Sequence, residues 1–282
     1  MSAAIPASTG RHSTPPTGKF FAGVGRAFAG ALLFALPMLM TMEMWWLGFT
    51  LEPWRIVVML LAMLPLLMGL SRFGGFRRTD RFRDDLADVL VAIMVAAVAS
   101  TTVLFLFAVT TIDMPPREIV GKIAIQMFPA SIGAMLARSQ MGETSESDPA
   151  EGEPSYLGEL FLMGAGALYL SLNIAPTEEI VLIALKMSVW HEIALLGLSL
   201  VLMHGLVYSV GFRGGTTRGD RSFLEVFARF TCVGYVVVAL VSLGVVWLFG
   251  QTGESSVEEV LSTIILMSFP GAIGAAAARL VL

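Results

Sequence analysis

Residues 86–110 read LADVLVAIMVAAVASTTVLFLFAVT, twenty-five positions with a single formal charge at Asp88. The run is long and nearly continuous, without the strict alternation of a barrel strand, so it reads as a helix. About 20 apolar residues suffice for a helix to cross roughly 30 Å of hydrocarbon. Working outward from this run, seven more of the same kind lie at approximately 25–49, 53–71, 118–138, 157–185, 190–210, 224–249 and 258–280. The fourth and eighth are the weakest, being short and interrupted by Pro129 and Pro270. Composition agrees: of 282 residues, 56% are hydrophobic and 14% charged, and mean hydropathy is +0.77. A typical soluble protein is roughly 45–50% apolar and about 25% charged. The sequence therefore predicts an all-α, multi-pass transmembrane bundle of about eight spans and excludes a soluble enzyme or a disordered chain. A net charge of −4 gives no basic field for nucleic acid. The one cysteine, Cys232, rules out an intrachain disulfide or a thiolate metal cage.

Loop charges give an independent reading of the count. Arg72, Arg77, Arg78, Arg81 and Arg83 follow the second span, and Arg213, Arg218 and Arg221 follow the sixth. Arg11 and Lys19 precede the first span and Arg26 lies at its start, while Arg138 and Arg279 close the fourth and eighth. Eight spans put all of them on one side, which the Lys/Arg bias makes cytoplasmic, with both termini inside a bacterial inner membrane. Trp45, Trp46, Trp54 and Trp190 then fall at the opposite interface, where amphipathic rings collect.

Residues 1–18 are small, polar and proline-rich and read as a disordered tail rather than a secretory signal. Residues 139–155 carry five acids and no base and read as a solvated linker. Between them lie residues 19–138, and after them residues 156–282, which resemble each other. At a shift of 136, residues 30–77 match 166–213 at 15 of 48 positions, including Thr41 with Thr177, Glu43 with Glu179 and Trp54 with Trp190. At a shift of 141, residues 118–138 match 259–279 at 9 of 21, including the two Phe-Pro-x-x-Ile-Gly segments. Biased composition inflates matches of Leu and Ala, but not ordered matches of Glu, Trp and Phe-Pro. A tandem repeat of four spans each is expected. An even number per repeat makes the two halves parallel, about a pseudo-twofold axis along the membrane normal.

The run Ala29-Gly30-Ala31-Leu32-Leu33-Phe34-Ala35-Leu36-Pro37, continuing to Met42-Glu43-Met44-Trp45-Trp46-Leu47-Gly48, and the two Phe-Pro-x-x-Ile-Gly segments resemble a family of bacterial integral membrane proteins known as a domain of unknown function. The resemblance covers nearly the whole chain past the tail. It implies a multi-pass membrane protein and no established activity, so it assigns no site residues.

Chemistry is sparse. Glu43 and Glu179 each lie within the first run of their half, two residues after Thr41 and Thr177. A charge at the bilayer centre costs about 2.5–3.5 kcal/mol on insertion scales, so such groups usually face a cavity or a partner. Two matched carboxylates facing each other would hold a cation or share a proton. The alternative places both in the external headgroup zone, since each is about 9 Å of helix rise from the end of its run. Glu178 and Asn173 add polarity beside Glu179 in the second half only. Pro37 and Pro176 precede the glutamates, and each removes a helical hydrogen bond. A broken helix can line an ion site, and a packing kink is the alternative. For Pro129 and Pro270, with Gly133-x-x-x-Ala137 and Gly274-x-x-x-Ala278, close helix packing is the leading reading. Lys122, one turn inside Glu118, is placed to snorkel or pair with it. His191 and His204 stand alone, without metal-ligand spacing.

No metal, cofactor or enzymatic motif is expected: phosphate loop, HExxH, CxxC and serine elbow are all missing from the sequence. Two functions remain. One is a cation- or proton-coupled transporter or channel, with its pathway between the halves. The other is a scaffold or accessory subunit that holds lipids, a membrane-protein partner or a second copy of itself.

Overall fold

The computed structural model describes residues 17–73, 82–140, 155–214, 223–253 and 255–281. Most of the expected tail, the acidic linker from 141 to 154 and the arginine turns at 74–81 and 215–222 lie outside them. The described residues are helical, with no strand among them. The first half holds α1 (Thr17–Leu39), α2 (Met42–Thr50), α3 (Pro53–Phe73), α4 (Phe82–Leu106) and α5 (Pro116–Gln140). The second holds α6 (Tyr156–Ile174), α7 (Glu178–Lys186), α8 (Val189–Gly214) and α9 (Phe223–Val226). The chain then runs through a π-helical stretch (Phe227–Cys232) into α10 (Val233–Leu248), and ends with α11 (Val257–Val281). Eight segments of the described chain are long and apolar enough to cross a membrane, one for each expected run. The protein is a multi-pass, all-α membrane bundle.

Two runs are shorter as helices than as sequence. The run 25–49 is α1, a break at Met40–Thr41, and α2; the run 157–185 is α6, a break at Ala175–Thr177, and α7. Hydropathy continues across both breaks, because α2 and α7 are themselves apolar. At nine residues each, about 14 Å long, they cannot cross a bilayer. The breaks are stabilised locally. Thr41 and Thr177 both take an extended conformation at the N-cap of the short helix, with φ −97° and −83°. Neither hydroxyl caps the helix that follows. Each donates backward instead, Thr41 Oγ1 to the Pro37 carbonyl at 2.6 Å and Thr177 Oγ1 to the Ile174 carbonyl at 2.9 Å.

The two runs interrupted by Pro129 and Pro270 form the middle of the molecule. The fourth span is 72% buried and the eighth 50%, against 17% for the sixth. A helix screened from lipid by its neighbours needs no continuous apolar surface. Helix α5 packs against α1, α2, α3 and α4, and α11 packs against α6, α7, α8 and α10. Both central helices approach their long partners backbone to backbone. A Cβ at Gly30 would overlap the Gly133 carbonyl and Ala137, and a Cβ at Gly166 would overlap the Gly274 carbonyl and Ala278. Small residues allow this closeness, which replaces the hydrophobic drive that is missing between helices in lipid. Pro129 and Pro270 sit inside α5 and α11 without ending either helix.

The halves meet along α3 and α6. Phe73 stacks on Phe161 with centroids 5.4 Å apart, and Phe34 meets Tyr169 at 4.6 Å. One hydrophobic core runs through both halves, from Ala27 to Met267, and a smaller cluster around Met163, Met203 and Phe230 belongs to the second.

Candidate functional site

Contacts sort the helix termini into two ends. At one end, Phe73 at the C-terminus of α3 packs on Phe161, Ser71 donates to Asp85 at the start of α4, and Tyr156 donates to the Arg229 carbonyl. At the other end, Trp54 opens α3 and packs on Trp247, which closes α10, with centroids 5.6 Å apart. Arg55 fixes that junction. Its Nε lies 3.1 Å from Glu52 Oε2, its Nη1 donates to the Trp247 carbonyl, and its guanidinium lies over both indoles at 4.9 and 5.5 Å. Trp54 Nε1 donates to the same Glu52 oxygen at 2.8 Å. Trp45 and Trp46 in α2, and Trp190 at the start of α8, share this end, so all five tryptophans of the chain lie there. The sequence reading named four of them and missed Trp247. The signal for it was its position two residues before the end of the apolar run 224–249.

The short helices α2 and α7 belong to the tryptophan end and carry the candidate acids. Glu43 is partly buried in the first turn of α2, and Glu178 and Glu179 are exposed in the first turn of α7. Acids suit that position, where the helix dipole is positive. None of the three makes a hydrogen bond or ion pair with a described residue, and none links Glu43 to Glu179. All three lie beyond the long helices α1 and α6 rather than within them.

The backbone acceptors released at the breaks are engaged by protein donors. Beyond the threonine bonds, Gln126 Nε2 reaches the Met38 carbonyl at 3.0 Å from the fully buried middle of α5. Trp45 Nε1 reaches the Leu39 carbonyl at 2.7 Å. In the second half, Gln251 Nε2 takes the Ala175 carbonyl at 2.7 Å, and Asn173 Nδ2 takes the Tyr169 carbonyl at 2.8 Å. Pro37 lies within the last turn of α1 and Pro176 within the second break. Gly133 and Gly274 are the crossing points already described, away from the glutamates. His204 is buried and hydrogen-bonded to Thr231 at 2.9 Å, beside the π-helical stretch, while His191 pairs with Ser188 at 2.7 Å.

Lys122 is buried at the tryptophan end. Its ammonium lies 2.6 Å from Glu118 Oε1 and 3.0 Å from the Val109 carbonyl, with Met114 Sδ at 3.7 Å and the Phe49 ring at 5.6 Å. A charge so placed must be neutralised and hydrogen-bonded, and this one is. Gly48 and Gly121 bring α2 onto α5 directly beside it, since a Cβ on either would collide with the other helix.

The described side chains thus supply hydrogen-bonding and electrostatic chemistry at one end of the bundle. Comparison with curated proteins and with solved structures gives no match. The family model described as "Putative integral membrane protein (DUF2391)" matches residues 23–282, and the chain belongs to that family.

Proposed function

We propose that the protein is a cation- or proton-coupled transporter or channel of the bacterial inner membrane. In this reading the two halves are like-oriented four-span repeats with cytoplasmic termini, and the pathway runs between them. The protein has no catalytic role. One observation carries the reading: each half breaks its first apolar run at a threonine, and each break is followed by an acid, Glu43 or Glu179, that no described residue neutralises. Paired broken helices beside unneutralised acids are a transporter plan, used here as analogy. The test is ion and proton flux into proteoliposomes. Wild type should conduct at least one common cation, and the Glu43→Gln/Glu179→Gln double variant should lose about tenfold or more of that flux, on the scale of removing a charged ligand. A wild type silent to protons and to common monovalent and divalent cations would sink the proposal.

A second reading, a non-transporting scaffold, draws on a different observation. The carbonyls at both breaks are held by Thr41, Gln126, Trp45, Thr177 and Gln251, as expected of a structural joint. Copurification of a stoichiometric membrane-protein partner, or a stable homo-oligomer, would favour it over transport.

A further inference from the structure

Between α7, the α10–α11 turn and α11 lies a pocket of about 100 Å³, lined by Ala184, Leu185, Gln251, Ser255, Glu259 and Thr263, among others. Each of these residues stands where the first half places a group around Lys122. Under the 136-residue shift, Ala184 and Leu185 correspond to Gly48 and Phe49, the close approach and the ring beside the lysine. Under the 141-residue shift, Ser255 and Glu259 correspond to Met114 and Glu118, and Thr263 corresponds to Lys122 itself. Gln251 is one residue out of that register, which pairs it with Thr110, but at the turn it takes the position of Val109, whose carbonyl receives the ammonium. Both follow a left-handed residue that ends a helix in the same way: Ala108 at φ 55° with Val109 N–H to the Leu104 carbonyl, and Gly250 at φ 80° with Gln251 N–H to the Val246 carbonyl. The second half therefore keeps the carboxylate and the turn that hold an ammonium, and lacks the ammonium.

The groups around the pocket are suited to receive one. Glu259 Oε2 accepts from the Ser256 N–H at 2.8 Å, which orients the carboxylate at the exposed edge of the site. Gln251 spends its amide N–H on the Ala175 carbonyl, and its side-chain oxygen is buried with no hydrogen-bond partner. A buried carbonyl oxygen without a donor costs about 1–3 kcal/mol, and a rotation of the Gln251 amide toward the pocket would let a ligand N–H satisfy it. The volume holds roughly three waters at about 30 Å³ each. The remaining wall is aliphatic, from α7, and matches an alkyl stem better than a hydrated metal ion.

We propose that this pocket binds a primary ammonium group on a short alkyl stem, replacing the lysine side chain that the first half carries internally. Glu259 supplies the counter-charge, and Gln251 Oε1, once its amide turns toward the pocket, accepts an N–H. Neither Glu43 nor Glu179 lines the site, and it does not depend on whether ions cross the protein. Its place at the tryptophan end gives the ammonium two sources, a free alkylamine or the ethanolamine headgroup of a phospholipid.

Thermal unfolding of the purified protein, followed by circular dichroism, tests this. In detergent, ethylammonium chloride at about ten times its dissociation constant should raise Tm by about 3 °C relative to sodium chloride at equal ionic strength. Tetramethylammonium, which has no N–H, should not. In nanodiscs, phosphatidylethanolamine should raise Tm over phosphatidylcholine at constant anionic lipid. A shift in detergent alone assigns the free amine, and one in nanodiscs alone assigns the lipid. T263K places an ammonium in the pocket and should abolish the response, and E259Q, which keeps the side-chain volume, should abolish it too. No shift in either setting, equal shifts for ethylammonium and tetramethylammonium, or an undiminished response in both variants would overturn the assignment. Proteoliposome flux is read separately, so failure of transport and failure of this site are distinguishable.

Discussion

The corner where α2 meets α5 and the corner where α7 meets α11 are built on the same plan and filled differently. In the first, Gly48 and Gly121 let two backbones touch, and the Lys122 ammonium is held against Glu118 and the Val109 carbonyl. In the second, Ala184 and Ser262 stand at the glycine positions, Thr263 stands at the lysine, and a pocket opens. Ser262 donates to Glu192 of α8, so α11 turns a hydroxyl toward another helix at the position where α5 presents bare backbone. The difference lies in the side chains at positions that match in sequence. One corner is closed and self-neutralised, and the other is open and acid-rimmed. Positions that match in sequence thus carry a structural ion pair in one half and a different filling in the other.

Exchanging residues between the corners breaks the comparison in graded steps. Gly121→Ser, which installs the residue of the second half, should have the largest effect. Its Cβ would overlap the Gly48 carbonyl, and a contact of backbone against backbone has no rotamer to yield, so a loss of about 3 kcal/mol is expected in reversible unfolding in detergent. The reciprocal Ser262→Gly gives up one hydrogen bond and should cost about 1 kcal/mol. Equal effects for the two would show that the corners are packed alike after all.

Next in size, Lys122→Thr should cost about 2 kcal/mol. Removing one partner of a buried ion pair costs roughly 3–5 kcal/mol, and Glu118, 24% exposed, keeps part of its hydration. This variant should also acquire a stabilising response to ethylammonium that wild-type Glu118 cannot give. The smallest effect is expected from Gln126→Met, which copies Met267 of α11 and removes the bond to the Met38 carbonyl. About 1 kcal/mol is expected, measured against a Gln126→Glu control that keeps the volume but loses the N–H donor.

Sequence alone located the eight spans because lipid-crossing helices require long apolar runs, and the structure places a helix in each. It also pointed to Gly133 and Gly274 as packing positions, because a small residue followed four places later by another leaves a groove on one face. Hydropathy did not mark the breaks at Met40–Thr41 and Ala175–Thr177, since the residues beyond them are as apolar as those before; Pro37 and Pro176 marked their neighbourhood, as either a broken helix or a packing kink. What ends the helices there is a set of side-chain bonds, from Thr41, Trp45, Gln126 and Gln251, and two of these partners, Gln126 and Gln251, lie outside the run they terminate. The proline-interrupted fourth and eighth runs are the central ones, as the burial of α5 and α11 shows. Of the candidate site, the positions of Glu43 and Glu179 after matched threonines were legible. The clamp of Arg55 on Trp247 joins residues 192 positions apart, and no local pattern announces such a pair.

The five indoles lie together at one end, so the native emission of the protein samples a single leaflet. Brominated lipid confined to that monolayer should quench nearly all of it, and the same lipid in the other monolayer almost none. Which quencher acts in oriented vesicles would report the polarity of insertion directly, with no label and no engineered residue.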